Sequence, residues 1–295
     1  MKLPTFLIVG VQKAGTTSIY KYLQQHPQVY MSPIKETNFL EKDWEAFAAE
    51  TGRQNRSGIN TFAEYCHLFE NATDELALGE ISPNYLFHHE TSAERIQRYV
   101  PHAKLIAILR NPIERAYSDY LMHVRDAIDE KSLSEQIKTS AHQSYIIRKG
   151  LYYTPLKYYF DKFGQEQLKV YLYEDLCTAP AQFMSALYRF IGVDDGFDID
   201  TSKKAQVAQV PKVKLVNNLL QRQNPLRSSI AAVLKPLFPE EARQTLRQKL
   251  VQLNSQDKQK APLSAEDRQG LIEIYREDIL KLQDLIGRDL STWLN

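Results

Sequence analysis

Thr5-Phe-Leu-Ile-Val-Gly10-Val-Gln-Lys13-Ala-Gly15-Thr16-Thr17 stands near the start of a 295-residue chain and decides its fold class. Phe6 to Val11 is a short apolar run with β-branched residues and a glycine turn, the pattern of a strand buried on both faces of a parallel sheet. Ile19, Tyr20, Tyr22 and Leu23 then fall at helical spacing and stop near His26-Pro27. Between strand and helix, two glycines let the backbone curl closely, and the helix start turns its free N–H groups and partial positive charge toward the loop. Lys13 adds a full charge. Such a turn cradles a phosphate. It nearly matches GxxxxGK[ST], but its lysine sits in mid-loop and Thr16 stands where that pattern has lysine.

The same strand, loop and helix recur at Lys104–Arg110, where Asn111-Pro112 opens a helix running to about Arg125. Leu76–Ile81, Leu168–Leu172 and a short run near Val29–Met31 read as further strands, and Thr91–Val100 and Pro180–Ile191 as helices. The alternation predicts an α/β fold, a P-loop-like parallel sheet with helices on both faces. The Lys104–Arg110 strand ends in an arginine where metal-dependent phosphotransferases carry an aspartate. A guanidinium at a strand's carboxyl end, with Ser118 on the next helix, suits a second phosphate; an ordinary salt bridge is the other use of such an arginine.

Beyond Asp200 strand signals fade, Pro211, Pro225, Pro236 and Pro239 punctuate the chain, and two long helical patterns follow. We expect residues 1–200 to form the nucleotide-binding core and 201–295 a mostly helical extension packed on the same domain. Ser264 with Asp267 resembles a capping box, and Leu271, Ile274, Ile279, Leu282 and Leu285 share one helix face. The stretch Thr51–Asn60, rich in Gly, Asn and Arg, reads as a mobile surface loop.

Thirty-seven Lys and Arg against 36 Asp and Glu give a net charge of +1, so no global field gathers a polyanion, and nucleic acid is not an expected partner. Cys66 and Cys177 are far apart and form no CxxC, which fits a reducing compartment and offers no thiolate metal site. The only N-terminal apolar run is far shorter than the ~20 residues of a membrane span, so the expected location is cytoplasmic without a transmembrane segment.

At this point GVQKAGTTSIYKYLQQHP (10–27) resembles the 5′-phosphosulfate loop of sulfotransferases that use 3′-phosphoadenosine 5′-phosphosulfate (PAPS). LRNPIERAYSDYL (109–121) resembles their 3′-phosphate motif. The resemblance spans about residues 4 to 193 and is closest to bacterial members and the glycosaminoglycan sulfotransferases; Gly150-Leu-Tyr152 and Leu285–Trp293 also look like bacterial members. It implies an enzyme that needs no metal and releases adenosine 3′,5′-bisphosphate (PAP). Lys13 would stabilise charge on the leaving phosphate. Gln12, Ala14, Gly15, Thr16 and Thr17 would line the 5′-phosphate cradle, and Arg110 and Ser118 would bind the 3′-phosphate.

Sulfuryl transfer needs a base to take the acceptor's proton. Lys35-Glu36-Thr-Asn-Phe39 is similar to the segment that supplies the catalytic glutamate in glycosaminoglycan sulfotransferases, which points to Glu36; a surface pair with Lys35 is its plainer reading, and His88, His89 and His123 are reserves. Lys212 and Lys214 are candidates to approach the cofactor from a closing loop, or are surface residues. Arg148-Lys149-Gly150 copies a triplet that grips the 3′-phosphate much later in cytosolic sulfotransferases, and is read here as coincidence. Where heparan-type enzymes carry a lysine after the glutamate of a strand, this chain has Ile81 after Glu80. That absence, the balanced charge and an aromatic content of 11% point to a neutral or apolar acceptor such as a lipid, glycolipid, sugar or carrier-bound acyl chain. A P-loop kinase-like phosphotransferase and a non-catalytic nucleotide-binding module are the alternatives.

Overall fold

The computed structural model describes residues 2–126, 128, 131–201, 209–211, 255–257 and 262–295. Strands β1 (Phe6–Gly10), β2 (Val29–Met31), β3 (Ala77–Ile81), β4 (Lys104–Leu109) and β5 (Leu168–Leu172) form one sheet in the order β2-β3-β1-β4-β5. Every pairing in it is parallel. β1 is the central strand and Phe6 to Val9 are fully buried, as the uninterrupted apolar run requires. Phe6 lies opposite Gly79, and a Cβ there would come within 2.1 Å of the Phe6 ring, so only glycine admits the phenylalanine.

The helices that follow the strands are α1 (Thr16–Leu23), α2 (Trp44–Thr51), α3 (Phe62–His67), α4 (His89–Tyr99) and α5 (Pro112–Arg125). Later come α6 (Leu133–Thr139), α7 (Tyr145–Arg148), α8 (Tyr153–Gln167), α9 (Tyr173–Thr178), α10 (Pro180–Ile191) and α11 (Ala265–Ile286). α2 and α3 were not legible as helices. They are short, and side-chain caps start both: Asp43 accepts from the Ala46 N–H, and Thr61 with Glu64 forms a capping box. The segment between them, within the stretch expected as a surface loop, is a mostly exposed loop with one anchored residue. Asn55 is buried, and its Nδ2 donates to the carbonyls of Thr37 at 2.7 Å and Ile59 at 2.8 Å, tying the segment to the rest of the fold.

By compactness the chain divides into two units. The first comprises Met1–Arg115, Lys149–Ala205 and Tyr275–Asn295, and holds the five-stranded sheet. The second comprises Ala116–Arg148 and Gln206–Ile274 and includes the antiparallel pair β6 (Gln209–Pro211) and β7 (Ser255–Asp257). Within the second unit α6 meets the start of α11 through Ser134–Asp267 and Lys138–Glu266, while Tyr275–Asn295 returns to the first.

That return is fixed at Asp278. Its carboxylate accepts the N–H groups of Tyr152 at 2.8 Å and Tyr153 at 3.2 Å, capping the start of α8, while Tyr275 packs against Gly150. Burial, opposed by those two donors, pushes the Asp278 carboxyl from 3.8 up to about 6. A carboxyl raised on folding contributes stability that is complete below pH 3.8 and is lost as pH rises through about 6. The amount is on the order of 3 kcal/mol. Asp278→Asn is expected to remove this loss, so wild type minus variant in urea-unfolding free energy falls between pH 4 and pH 7. A pH-independent difference would contradict it.

Candidate active site

The expected site residues of the first unit lie at the carboxyl edge of the sheet, where parallel sheets bind ligands, beside the strand at which the order reverses. Leaving β1, the chain curls through Lys13 at φ 72° and Gly15 at φ 76° into α1. Gly15 is obligatory here: its φ is left-handed, and a Cβ would meet the Tyr173 ring at 2.9 Å and Leu176 at 3.0 Å. No side chain caps α1 at Gly15. The first N–H groups of a helix have no intrahelical partner, so this start is open to an anion. Ala14 and Thr16 are buried, Gln12 and Lys13 half-buried, and Thr17 exposed.

Arg110, at the end of β4, closes on the same loop. Its Nη1 donates to the Lys13 carbonyl at 2.8 Å, and its guanidinium lies 4.8 Å from the centre of the Tyr173 ring. The Arg110 carbonyl accepts the Tyr152 hydroxyl at 2.9 Å, and burial holds that hydroxyl far above its ordinary pKa, so it stays a donor. Ser118 is buried on α5, in the second unit.

Glu36 follows β2, and its N–H reaches the Ile81 carbonyl at the end of β3, 2.8 Å away. Lys13, Glu36 and Asn38 are the non-glycine residues with positive φ among the described residues. Such conformations cost about 1 kcal/mol or more each and persist where the surroundings impose them, often at working sites. What imposes them beside Glu36 is Glu80, a fully buried carboxylate in mid-sheet. It accepts hydroxyls from Thr37, Tyr65 and Ser82 at 2.5 Å and from Tyr85 at 2.8 Å. A carboxylate without water costs several kcal/mol unless its lone pairs are met, and four donors meet them. Burial, with Glu80 adding to it, pushes the Tyr65 and Tyr85 hydroxyls well above their usual range, which keeps both protonated. Ser82 also accepts the Asn38 N–H at 3.0 Å and Tyr85 the Leu40 N–H at 3.1 Å, so Glu80 sets the path of the Glu36 loop.

The Glu36 carboxylate contacts Lys35 at 2.5 Å, with about a third of its side chain exposed. The surface pair read from the sequence is therefore present, and the carboxylate remains reachable. His88 Nε2 lies 3.5 Å from Glu41, His89 meets the Tyr158 ring edge-on, and His123 is on α5 in the second unit. Lys212 and Lys214 lie outside the described residues. Of the aromatic run after Gly150, Tyr152 and Tyr159 are buried in packing. Sequence reasoning gave no role to Glu80, Tyr173 or Lys149; an acidic residue in an otherwise apolar strand was the available signal for the first.

Residues 4–198 match the sulfotransferase family. Bifunctional heparan sulfate N-deacetylase/N-sulfotransferase 1 of Xenopus tropicalis is 31% identical over 210 residues, covering 67% of this chain and 23% of that protein. The human type 3 enzyme is 32% identical over 205 residues, covering 65% and 22%. The chain thus spans about a quarter of the length of the curated relatives it matches. A crystal structure of a sulfotransferase from Alicyclobacillus acidocaldarius covers 100% of both chains with 27% identity and a TM-score of 0.70. A mouse sulfotransferase complexed with PAP shares the fold, with a TM-score of 0.51 and 12% identity over 96% of this chain and 86% of that one. These similarities do not favour the kinase-like or non-catalytic alternatives. The chain belongs to the sulfotransferase family, whose chemistry is sulfuryl transfer.

Proposed function

We propose that this chain moves a sulfuryl group from PAPS to a hydroxyl or amine of a neutral or apolar acceptor, with Glu36 as base. The observation that carries this reading is the convergence of an uncapped helix start, Lys13 and Arg110 on one loop at the end of the central strand. The required glycine at Gly15 lets that loop lie against Tyr173 and Leu176. When bound, PAPS supplies the sulfuryl group at its phosphosulfate. The residues 12–17 would hold the 5′-phosphate end, with Lys13 neutralising the charge that develops on the leaving phosphate. Arg110 would take the 3′-phosphate as a fork of donors. The part of Ser118 rests on the likeness of its segment alone. Glu36 would accept the acceptor's proton, with its backbone fixed by the Glu80 network. Cys66 and Cys177 are both free thiols, which supports the cytoplasmic reading.

Calorimetry tests the donor. Arg110→Ala is expected to lose roughly 1.5 to 3 kcal/mol of PAP affinity and to leave little preference for PAP over 5′-AMP. Unchanged discrimination would remove Arg110 from the nucleotide site. Competition tests the acceptor: heparan-type polysaccharide and small hydroxylated acyl or glycolipid acceptors are offered together with labelled PAPS. Label is expected on the small acceptors. Label on the polysaccharide, with a rate that drops steeply as salt rises, would overturn the neutral-acceptor reading, because polyanion tracking is driven by ion pairing.

A further inference from the structure

The triplet Arg148-Lys149-Gly150 stands far from residues 10–17 in the sequence, yet the fold brings its lysine to that loop. Lys149 Nζ donates to Gln12 Oε1 at 2.7 Å, across 137 positions of chain, and lies 5.7 Å from the centre of the Phe87 ring. Gln12 is the immediate neighbour of Lys13. Arg110 holds the Lys13 carbonyl at 2.8 Å, so two cations reach adjacent residues of one loop. Lys149 is also the one charged residue lining a small pocket beside the loop, whose other walls include Val11, Leu86, Phe87 and Leu151. Apolar walls lower the local dielectric and strengthen a charge that faces them. The neighbouring strand adds no cation, since Ile81 is buried and apolar. Glu41 is an acidic group that feels Lys149: burial raises its carboxyl, while Lys42 and Lys149 pull it down.

We propose that Lys149 is a further catalytic residue: its ammonium holds the sulfonate of PAPS from the Gln12 side of the loop. This rests on the sulfotransferase reading given above. As the sulfur–oxygen bond to the phosphate breaks and the acceptor oxygen or nitrogen bonds to sulfur, negative charge persists on the sulfonate oxygens. The leaving phosphate keeps the bond's electron pair and the acceptor's proton goes to the base. A fixed ammonium at those oxygens is already oriented when the reaction occurs.

PAP and PAPS differ by the sulfonate, so their relative affinities isolate the contact without turnover. In calorimetry without acceptor, Lys149→Met is expected to bind PAPS about tenfold to a hundredfold more weakly, the scale of a charge-assisted hydrogen bond, and PAP within about twofold of wild type. Lys149→Arg, which keeps the charge, is expected to recover most of the PAPS affinity. Lys149→Gln serves as a second uncharged variant, and thermal melts confirm that each is folded. Equal weakening for both nucleotides, or no weakening for either, would overturn the role of Lys149 and leave the family chemistry intact. Wild-type protein that binds neither nucleotide would overturn the donor reading and this proposal with it.

Discussion

Lys13→Ala is expected to lower sulfuryl transfer by ~10³-fold or more while leaving the thermal midpoint within about a degree of wild type. Both halves follow from where the residue sits. Lys13 is half-buried in a loop, its backbone is already left-handed at φ 72°, and alanine meets the same backbone cost as lysine there. The carbonyl that Arg110 grips belongs to the backbone and survives the substitution. What disappears is a full positive charge at the open start of α1. Removing one donor aimed at developing charge costs ~10² to 10³ in rate, and a charged donor more. Turnover of labelled PAPS, measured beside a thermal melt, checks it. A folded variant with near-wild-type sulfation would sink the role assigned to the loop.

Glu36→Gln is expected to keep PAP affinity and lose ~10² to 10⁴ in rate, the range for removing a general base. Glutamine keeps the size of the side chain and the positive φ of 62°, and the Glu80 network that shapes the loop does not touch the Glu36 carboxylate. The ion pair with Lys35 is lost, but both side chains are partly exposed, and such pairs are worth about 0 to 1 kcal/mol. A large rate loss at constant affinity therefore cannot come from unfolding. If PAP binding fell in step with the rate, Glu36 would be a structural residue and His88, the histidine beside Glu41, would be the next candidate.

The strands were legible because each is a local signal. Phe6–Gly10 and Lys104–Leu109 are apolar runs closed by Gly and by Arg-Asn-Pro, and burial on both faces is what those runs encode, whereas Leu168–Leu172, at the sheet edge, is buried only at its two leucines. Pro112 and Pro180 marked helix starts correctly for the same reason, since proline at a first turn loses no hydrogen bond. Composition marked residues 52–60 as a surface loop, but not that Asn55 within it is buried and bonded to two carbonyls, because that depends on which acceptors the fold brings near.

The sequence by itself determined the strand, glycine-containing loop and helix at residues 6–23, the cation at the end of the fourth strand, and the carboxylate after the second, because each depends on neighbours within a few positions. Only the tertiary structure decided how they act together. Arg110 meets Lys13 across 97 positions, Lys149 meets Gln12 across 137, and Asp278 caps the start of α8 across 126. Glu80 gathers the hydroxyls of Thr37 and Tyr65, 43 and 15 positions away, to join those of Ser82 and Tyr85 in its own segment, and its segment gives no means of choosing the first two. Hydrogen bonds act over about 3 Å, and which atoms come that close is set by packing the whole sheet and its helices, a property no short window of sequence contains.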